Sequence, residues 1–446
     1  MNTPIVDFVK KYADSNSLRL HMPGHKGNNF FGCEKYDITE IDGADVLYSA
    51  DGIIAESQKN ATKLFETQST LYSTEGSSLC IRAMLYLMKR YAQQLGNKPL
   101  IAAGRNAHKT LITTAALLDI DVDWLLPENT QTVVSCAITA DFIDEYLRAA
   151  EQKPTAIYVT SPDYLGNVVD IQAISNICRK YGVLLVVDNA HGAYLKFLPT
   201  DIHPISLGAD MCCDSAHKTL PALTGGAYLH VGKIAPAFFA DNAKTAFGLF
   251  ASTSPSYLIL QSLDLVNKYI ADGYGENLSR FIDKLKAVKE SLSKNGFTLC
   301  GDEPLKITIA TKPYGYTGYE MANILLSKDI VCEFADPDYI VFMLTPEIST
   351  EDLSKLENVL YETLPKTPIT HTPPISIIKK VGLSLHDALY AESEKVKIDQ
   401  CFGKVSASID VACPPAIPVV LPGEIIDEAA MESFKYYGIK EWSVIK

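Results

Sequence analysis

Lys218 is the residue with the most suggestive chemistry in this sequence, because it lies among small and apolar residues in the stretch DSAHKTLPALTGGA, residues 214–227. Lysine side chains are usually solvated at the protein surface. A secluded amine is instead typical of a nucleophile that bonds covalently to a carbonyl compound. Ser215 and His217 offer hydrogen-bond donors for a phosphate beside it, and the glycines that follow allow the backbone to approach a ligand closely.

Asp188 is the second candidate, because it ends the apolar run VLLVV. A carboxylate in such a place is costly to desolvate unless it pairs with a cation or with several hydrogen-bond donors. The spacing between Asp188 and Lys218 suits two strands that bring an acid and an amine to one edge of a sheet. Taken singly, a turn or capping aspartate and a surface lysine remain the alternatives.

The third candidate is a helix start in YSTEGSSLC, where Gly76 precedes Ser77 and Ser78. Free backbone N–H groups, two hydroxyls and the positive end of the helix dipole meet there, which suits a phosphate. A simple helix cap is the alternative. The sequence has neither the G-x-x-x-x-G-K-[ST] nor the G-x-G-x-x-G motif, which disfavours nucleoside triphosphates and dinucleotides.

A phosphate seat, a carboxylate at a strand end and a secluded lysine are together the three groups that pyridoxal phosphate requires. The lysine bonds to the cofactor, the carboxylate keeps the pyridine nitrogen protonated, and the helix start holds the phosphate. The combination therefore predicts a pyridoxal 5'-phosphate enzyme with no metal.

The composition of the whole chain fits a small-molecule enzyme of the cytoplasm. The chain has 446 residues, 47% apolar residues and a net charge of −13, which disfavours nucleic-acid and anionic-membrane partners. Its ten cysteines include no C-x-x-C motif, so the sequence favours neither a disulfide framework nor a zinc site. The N-terminal stretch has no signal-peptide pattern, and no apolar run reaches the length of a spanning helix.

Strand-like and helix-like segments alternate along the first 300 residues, which predicts an α/β protein with a mostly parallel sheet. A mixed region follows, and the loop LPKTPITHTPP, residues 364–374, sets off a C-terminal portion. The predicted strands lie within 99–104, 155–162, 183–188, 209–214, 225–231, 297–311 and 339–345, and the predicted helices within 77–96, 108–119, 169–182, 256–295 and 351–364.

Several motifs in order resemble those of the bacterial ornithine/lysine/arginine decarboxylase family, a group of fold type I pyridoxal phosphate enzymes. The likeness runs from about residue 18 to residue 424 and is specific for the superfamily more than for the substrate. The motifs are LHMPGHKG at 20–27, SPDYLGNVVD at 161–170, DNAHGAYLKF at 188–197, DSAHKTLPALTGGAYLH at 214–230, STSPSYLILQSLD at 252–264 and CPPAIPVVLPGE at 413–424.

The resemblance implies a role for each matching residue. Lys218 would be the Schiff-base lysine, and Asp188 would pair with the pyridinium. Lys218 or His217 would return a proton to Cα. The other implied cofactor contacts are Ala190 and His108 on the two faces of the ring, His191 near its substituents, and Gly76, Ser77, Ser78, Ser215 and His217 at the phosphate.

The resemblance also implies an aspartate-aminotransferase-like fold, with a mostly parallel seven-stranded sheet, flanking helices and a smaller α/β C-terminal domain. The expected parts are an N-terminal arm at 1–45, a large cofactor domain at 46–290, a small α/β domain at 291–365 and a C-terminal portion at 366–446. A homodimer with a shared active site is implied, in which residues 252–256 reach the neighbouring phosphate. The chain matches a short form without the N-terminal regulatory domain of the large family members.

The implied reaction is decarboxylation of an amino acid, with a basic substrate (lysine, ornithine or arginine) as the first expectation. Transamination or β/γ-elimination on the same fold is one alternative, although no arginine follows Arg280 to bind a substrate carboxylate as aminotransferases commonly do. A non-catalytic cofactor-binding or assembly protein is the other. The chain departs from the family pattern at Glu75, Asp163, Asn189, Cys413 and Ala416, so these positions bear on specificity.

Overall fold

The computed structural model describes residues 1–127, 130, 132–374, 381–408 and 416–446. The strands of this part of the chain are β1 (Ser69–Ser73), β2 (Leu100–Gly104), β3 (Asp121–Leu125), β4 (Ala156–Thr160), β5 (Leu184–Asp188), β6 (Met211–Asp214), β7 (Ala227–Val231), β8 (Thr298–Cys300), β9 (Lys306–Ala310), β10 (Phe334–Ala335), β11 (Tyr339–Met343), β12 (Ser393–Lys397) and β13 (Glu441–Ile445).

The α-helices of the same residues lie between and beside these strands. They are α1 (Pro4–Ala13), α2 (Ile53–Phe65), α3 (Gly76–Gln94), α4 (Lys109–Leu118), α5 (Ala140–Ala149), α6 (Ile171–Tyr181), α7 (Ala216–Thr219), α8 (Ala237–Gly248), α9 (Tyr257–Tyr269), α10 (Gly275–Lys294), α11 (Gly318–Leu326), α12 (Thr350–Glu362), α13 (Leu385–Tyr390) and α14 (Glu428–Tyr436). Each of them is too short or too polar to span a bilayer.

The largest sheet has seven strands in the order β1-β7-β6-β5-β4-β2-β3. Its pairs β2–β3, β2–β4 and β5–β6 are parallel, and β7 runs antiparallel to both β1 and β6. Every residue of β5, β6 and β7 is buried. Strands covered on both faces need continuous apolar runs, and LLVV in β5 is such a run. The predicted mostly parallel seven-stranded sheet is confirmed.

The chain forms two compact units, each built from discontinuous segments. The first comprises Met1–Gly96 and Ile171–Ser279, and the second comprises Asn97–Asp170 and Arg280–Lys446. The chain passes from the first unit to the second after Gly96, returns after Asp170, and passes to the second again within α10. The consecutive domain boundaries expected from the sequence remain a prediction.

The second unit contains two further sheets. An antiparallel sheet has the order β10-β11-β9-β8, and a two-stranded antiparallel sheet pairs β12 with β13. Apolar residues around Phe434, Trp442 and Val444 form a small core beside the latter pair. These elements correspond to the mixed strands and helices that the sequence predicts after residue 295.

Candidate active site

Three strands of the first unit end at the same edge of the sheet. Strand β5 is parallel to β6, and β1 runs in the same direction because both β1 and β6 are antiparallel to β7. The chain therefore leaves β5 at Asp188, β6 at Asp214 and β1 at Ser73 on one side. Ligands of such sheets bind beyond these carboxyl ends, where loops and helix starts converge.

Lys218 lies in α7, immediately after β6. Its backbone N–H donates to the carbonyl oxygen of Ser215 at 3.0 Å, and its Nζ atom lies 3.0 Å from Nε2 of His191. The side chain is half-buried rather than fully secluded. An amine beside an imidazole has a neighbour with which it can exchange a proton.

The start of α3, where the sequence predicts an anion seat, adjoins open space. Gly76 has a φ of +71°, and a Cβ atom there would meet no atom within 4 Å, so open space adjoins the first helical turn. Ser215 Oγ donates to Ser77 Oγ at 3.0 Å, so the segment that follows β6 contacts the segment that follows β1 at this point. Backbone N–H groups and hydroxyls beside open space at the positive end of a helix suit a phosphate.

The TGGA loop lies directly against the turn before α3. The N–H of Gly76 donates to the carbonyl oxygen of Gly225 at 2.8 Å. The backbone N–H and the Nδ1–H of His217 both donate to the carbonyl oxygen of Gly226, at 3.1 and 2.9 Å. These bonds orient the His217 ring and assign the Nδ1 proton, because a carbonyl oxygen only accepts.

Asp188 is buried at the end of β5. Its Oδ1 atom accepts the backbone N–H of Ala190 at 3.2 Å and lies 3.6 Å from the sulfur of Cys213. Burial, and then the nearby carboxylate of Asp188, raise the pKa of the Cys213 thiol far above its ordinary value. The thiol therefore keeps its proton and donates it to the Asp188 carboxylate.

Asp214 is the centre of a buried hydrogen-bond network next to Asp188, which the sequence did not predict. Asp214 Oδ1 accepts from Nδ2 of Asn189 at 2.7 Å, and Asp214 Oδ2 accepts from Nε2 of His203 and of His230 at 3.0 and 3.1 Å. Burial alone would raise the pKa of Asp214, but the two histidines reverse this effect and hold it well below its usual value. Burial lowers the pKa of His230 more than Asp214 raises it.

The two histidines of this network look like metal ligands by type, but their nitrogens are already used. Both Nε2 atoms donate to one carboxylate oxygen, and Nδ1 of His203 accepts the N–H of Ile205 at 3.4 Å. Only the position of Asn189, directly after Asp188 and different from the family pattern, signalled that this region is unusual.

His108 lies in the second unit and caps α4. Its Nδ1 atom accepts the backbone N–H of Thr110 at 3.2 Å, and the N–H of the next residue, Lys109, donates to the carbonyl oxygen of Ala416 at 2.8 Å. Its stacking on the cofactor remains a prediction. Cys413 lies outside the described residues.

Glu75 and Asp163, two of the positions that depart from the family pattern, both accept hydrogen bonds from backbone N–H groups of this chain. Oε1 of the exposed residue Glu75 accepts the N–H of Ser252 at 2.8 Å. Asp163 is buried, and its Oδ1 atom accepts the N–H groups of Leu165 and Asn167, both at 2.9 Å. Each carboxylate thus binds the backbone of this chain, which favours a role in holding the local structure over a role in binding a substrate.

The family described as Orn/Lys/Arg decarboxylase, major domain, matches residues 3–300, and Orn/Lys/Arg decarboxylase, C-terminal domain, matches residues 382–442. An arginine decarboxylase of Bacillus subtilis is 27% identical over 96% of this chain and 91% of its own length. One of Halalkalibacterium halodurans is 28% identical, with the same coverage.

Solved structures give the same picture of the fold. The constitutive lysine decarboxylase of E. coli superposes with a TM-score of 0.77 at 18% identity, over 100% of this chain and 82% of that chain. A NifS-like protein superposes with a TM-score of 0.55 at 13% identity, over 72% of this chain and 92% of that chain. The expected fold class is therefore confirmed.

Proposed function

Because this chain belongs to the Orn/Lys/Arg decarboxylase family, we propose that it uses pyridoxal phosphate to convert a basic amino acid (lysine, ornithine or arginine) into an amine and CO2. The observation that supports the proposal is that Asp188, Lys218 and Ser77 each lie at or just after the end of one of three strands that end at one edge of the sheet, where Ser215 is hydrogen-bonded to Ser77. Arginine is the first substrate to test, since relatives matched over nearly their whole length are named arginine decarboxylases.

The residues of the first unit fit the cofactor. Lys218 would hold it covalently, and Asp188 would face its ring nitrogen, with Ala190 against one face of the ring. The phosphate would lie at the open space beside Gly76, and His191 would lie near the ring substituents. Ser77, Ser78, Ser215 and His217 complete the proposed phosphate contacts, and His108 is proposed for the other face of the ring.

The protein then has to position charges and move one proton. Bound pyridoxal phosphate supplies an electron-withdrawing ring that accepts the electrons of the bond broken at Cα. Asp188 would place its carboxyl group at the ring nitrogen and stabilise the proton there. Lys218 Nζ, 3.0 Å from Nε2 of His191, is the better placed proton donor to Cα. His217 is the weaker candidate, because its Nδ1–H is committed to the carbonyl of Gly226.

A homodimer is also proposed. The N-terminal segment exposes five large apolar side chains, with 64–93% of their surfaces accessible: Leu18, Leu20, Met22, Phe30 and Phe31. A concentration of exposed apolar side chains in one short segment favours a partner surface. Light scattering at several concentrations tests the dimer, and a monomer at all of them contradicts it. A cytoplasmic location remains a prediction of the sequence, for which cell fractionation is the test.

The test of function is a panel of amino acids supplied to the protein loaded with pyridoxal phosphate, with CO2, amine and keto acid measured in parallel. We expect CO2 and amine in equal amounts from a basic amino acid and none from glutamate. Lys218→Ala should lose both the product and the absorption band of bound cofactor. Lys233→Ala, at an exposed lysine, is the matched control and should retain both.

Other outcomes decide against the proposal. Keto acid without CO2 would indicate transamination, and ammonia with keto acid would indicate elimination. Silence over the whole panel, with the cofactor bound, would favour a non-catalytic protein. Normal turnover and an unchanged absorption band in Lys218→Ala would refute the assignment of the lysine.

A further inference from the structure

The carboxylate of Asp214 is completely buried and is held from one side by two histidines. His203 and His230, also with 0% of their side chains exposed, donate to its Oδ2 atom. His230 is held in turn, because its Nδ1 atom lies 2.8 Å from Oγ1 of Thr70. The position of Asp214 is thus fixed by groups on β1, on β7 and in the loop before β6.

The other oxygen of Asp214 holds Asn189. Asn189 has no exposed surface, and its Nδ2 atom donates to Asp214 Oδ1 at 2.7 Å. Its Oδ1 atom has no hydrogen-bond partner among the described residues. A Cβ atom on Gly192 would stand 2.0 Å from this oxygen, so the absence of a side chain at Gly192 makes room for it.

Asn189 is the residue next to Asp188, and the pair is joined to Cys213 and Asp214 in three places. The N–H of Asn189 donates to the carbonyl of Cys213 at 3.0 Å. The thiol of Cys213 lies 3.6 Å from Asp188 Oδ1, and the side chain of Asn189 bonds to Asp214. Rotation of the Asp188 side chain would lose its contact with the Cys213 thiol, and a shift of the backbone at this point would disturb the bonds of Asn189 to Cys213 and Asp214.

We propose that Asn189 is a positioning residue for Asp188, and that Asp214, held by His203 and His230, is the buried anchor that fixes it. The inference rests on the proposed function, because it concerns the carboxylate assigned to the ring nitrogen of the cofactor. A catalytic group needs supports that hold its direction to within a fraction of an ångström. Asn189 supplies one donor to Asp214, and a second carboxylate in its place would repel it.

The first test compares two buried asparagines in the full-length protein loaded with pyridoxal phosphate. Asn189→Leu removes the bond to Asp214 and keeps the branching of the side chain, although the methyl groups of leucine are larger. Asn267→Leu is the matched control, because Asn267 also has 0% exposure, a buried Oδ1 without a described partner, and a 2.7 Å bond from Nδ2, in this case to Tyr72. Both variants should lose stability in urea.

The two variants should differ at the cofactor. Asn189→Leu should shift the pH midpoint of the cofactor absorption band and lower kcat about 10- to 100-fold, with KM within about twofold, as is common for supports of reactive groups. Asn267→Leu should keep the wild-type band and kcat. Equal losses in the two variants, or a wild-type band and kcat in Asn189→Leu, would overturn the inference.

The second test exchanges the two partners and remains decisive if Asn189→Leu fails to fold. Asn189→Asp places two carboxylates in contact and should perturb the band. The double variant Asn189→Asp/Asp214→Asn restores one donor and one acceptor with the same total charge, so the band and kcat should recover to within about threefold of wild type. A folded double variant without this recovery would overturn the inference.

The outcome for the proposed function is separate. If the wild-type protein binds no pyridoxal phosphate or releases no CO2, the proposed function fails. If the wild type does both and the substitutions at Asn189 leave the band unchanged, only the positioning role fails.

Discussion

Gly225 has a φ of +98°, and a Cβ atom built on it would stand 2.7 Å from the carbonyl oxygen of Thr74. Gly225→Ala therefore has two costs. The left-handed backbone costs an alanine about 1–2 kcal/mol. The clash costs about 1–3 kcal/mol more, because the atom in the way belongs to the backbone of a packed turn. We expect the free energy of unfolding to fall by about 2–5 kcal/mol.

Gly96→Ala is the control that separates these two costs. Gly96 has a φ of +75° at the end of α3, but a Cβ atom there meets nothing within 4 Å. Only the backbone cost of about 1–2 kcal/mol should appear. The difference between the two variants in urea unfolding then measures the clash.

The same comparison has a functional readout. The Thr74 carbonyl belongs to the turn that leads into Gly76, so Gly225→Ala should move the proposed phosphate seat. The turn can shift to relieve this strain, but it must then return to its original position when the phosphate binds. If that return costs about 1.4 kcal/mol, the Kd of pyridoxal phosphate should rise about tenfold. Gly96→Ala should leave this Kd unchanged. Equal stability and equal Kd in the two variants would refute the argument that the TGGA loop supports the seat.

Three further predictions concern other buried groups. Lys306→Met breaks the ion pair between Lys306 Nζ and Glu303 Oε2, which lie 2.8 Å apart and whose side chains are each 1% exposed. The free energy of unfolding in urea should therefore fall by about 3–5 kcal/mol, and a fall below about 1 kcal/mol would contradict this. Burial raises the pKa of Asp264 from 3.8 to about 6. The folded protein therefore binds this proton more tightly than the unfolded chain, and the contribution of Asp264 to stability should fall by about 2 kcal/mol as the pH rises from about 4 to 6. Unfolding of Asp264→Asn over this range should lack that slope, and an unchanged slope would assign it to other groups. Ser215→Ala removes the hydroxyl that donates to Ser77 Oγ at 3.0 Å. Equilibrium dialysis should then show that the Kd of pyridoxal phosphate rises about tenfold, because one hydrogen bond to a charged group is lost. An unchanged Kd would show that Ser215 does not contribute to the phosphate seat.

The central strands were predictable because their sequences carry strong physical signals. β5, β6 and β7 are buried throughout, so their sequences are mostly apolar, and turn residues or a polar residue mark where they end. The helix α3 ends at Gln94, just before Gly96, as its glycine signal indicates. The two edge strands were not predicted. β3 reads DVDWL and is only partly buried, and β1 contains polar residues, so neither resembles an apolar run.

The chemistry near the strand ends was predictable in part for a related reason. Lys218, Asp188 and Gly76 stand where segments change type, and their residue types differ from their surroundings. The partnership of Asn189, Asp214 and His230 could not be deduced, because it joins residues on different strands through side-chain directions that no local pattern encodes. The half-buried state of Lys218 likewise depends on packing around the short helix α7.

The discontinuous make-up of the two compact units has a consequence for how the protein is made. Residues 171–279 complete the unit that includes residues 1–96, so synthesis must reach residue 279 before every segment of that unit exists. The early portion up to Gly96 must therefore wait, with apolar surface that its later neighbours will cover, while the intervening residues emerge. No single cut in the chain releases either unit whole, and fragments truncated after residue 96 or 170 should be recovered as aggregates or with bound chaperones.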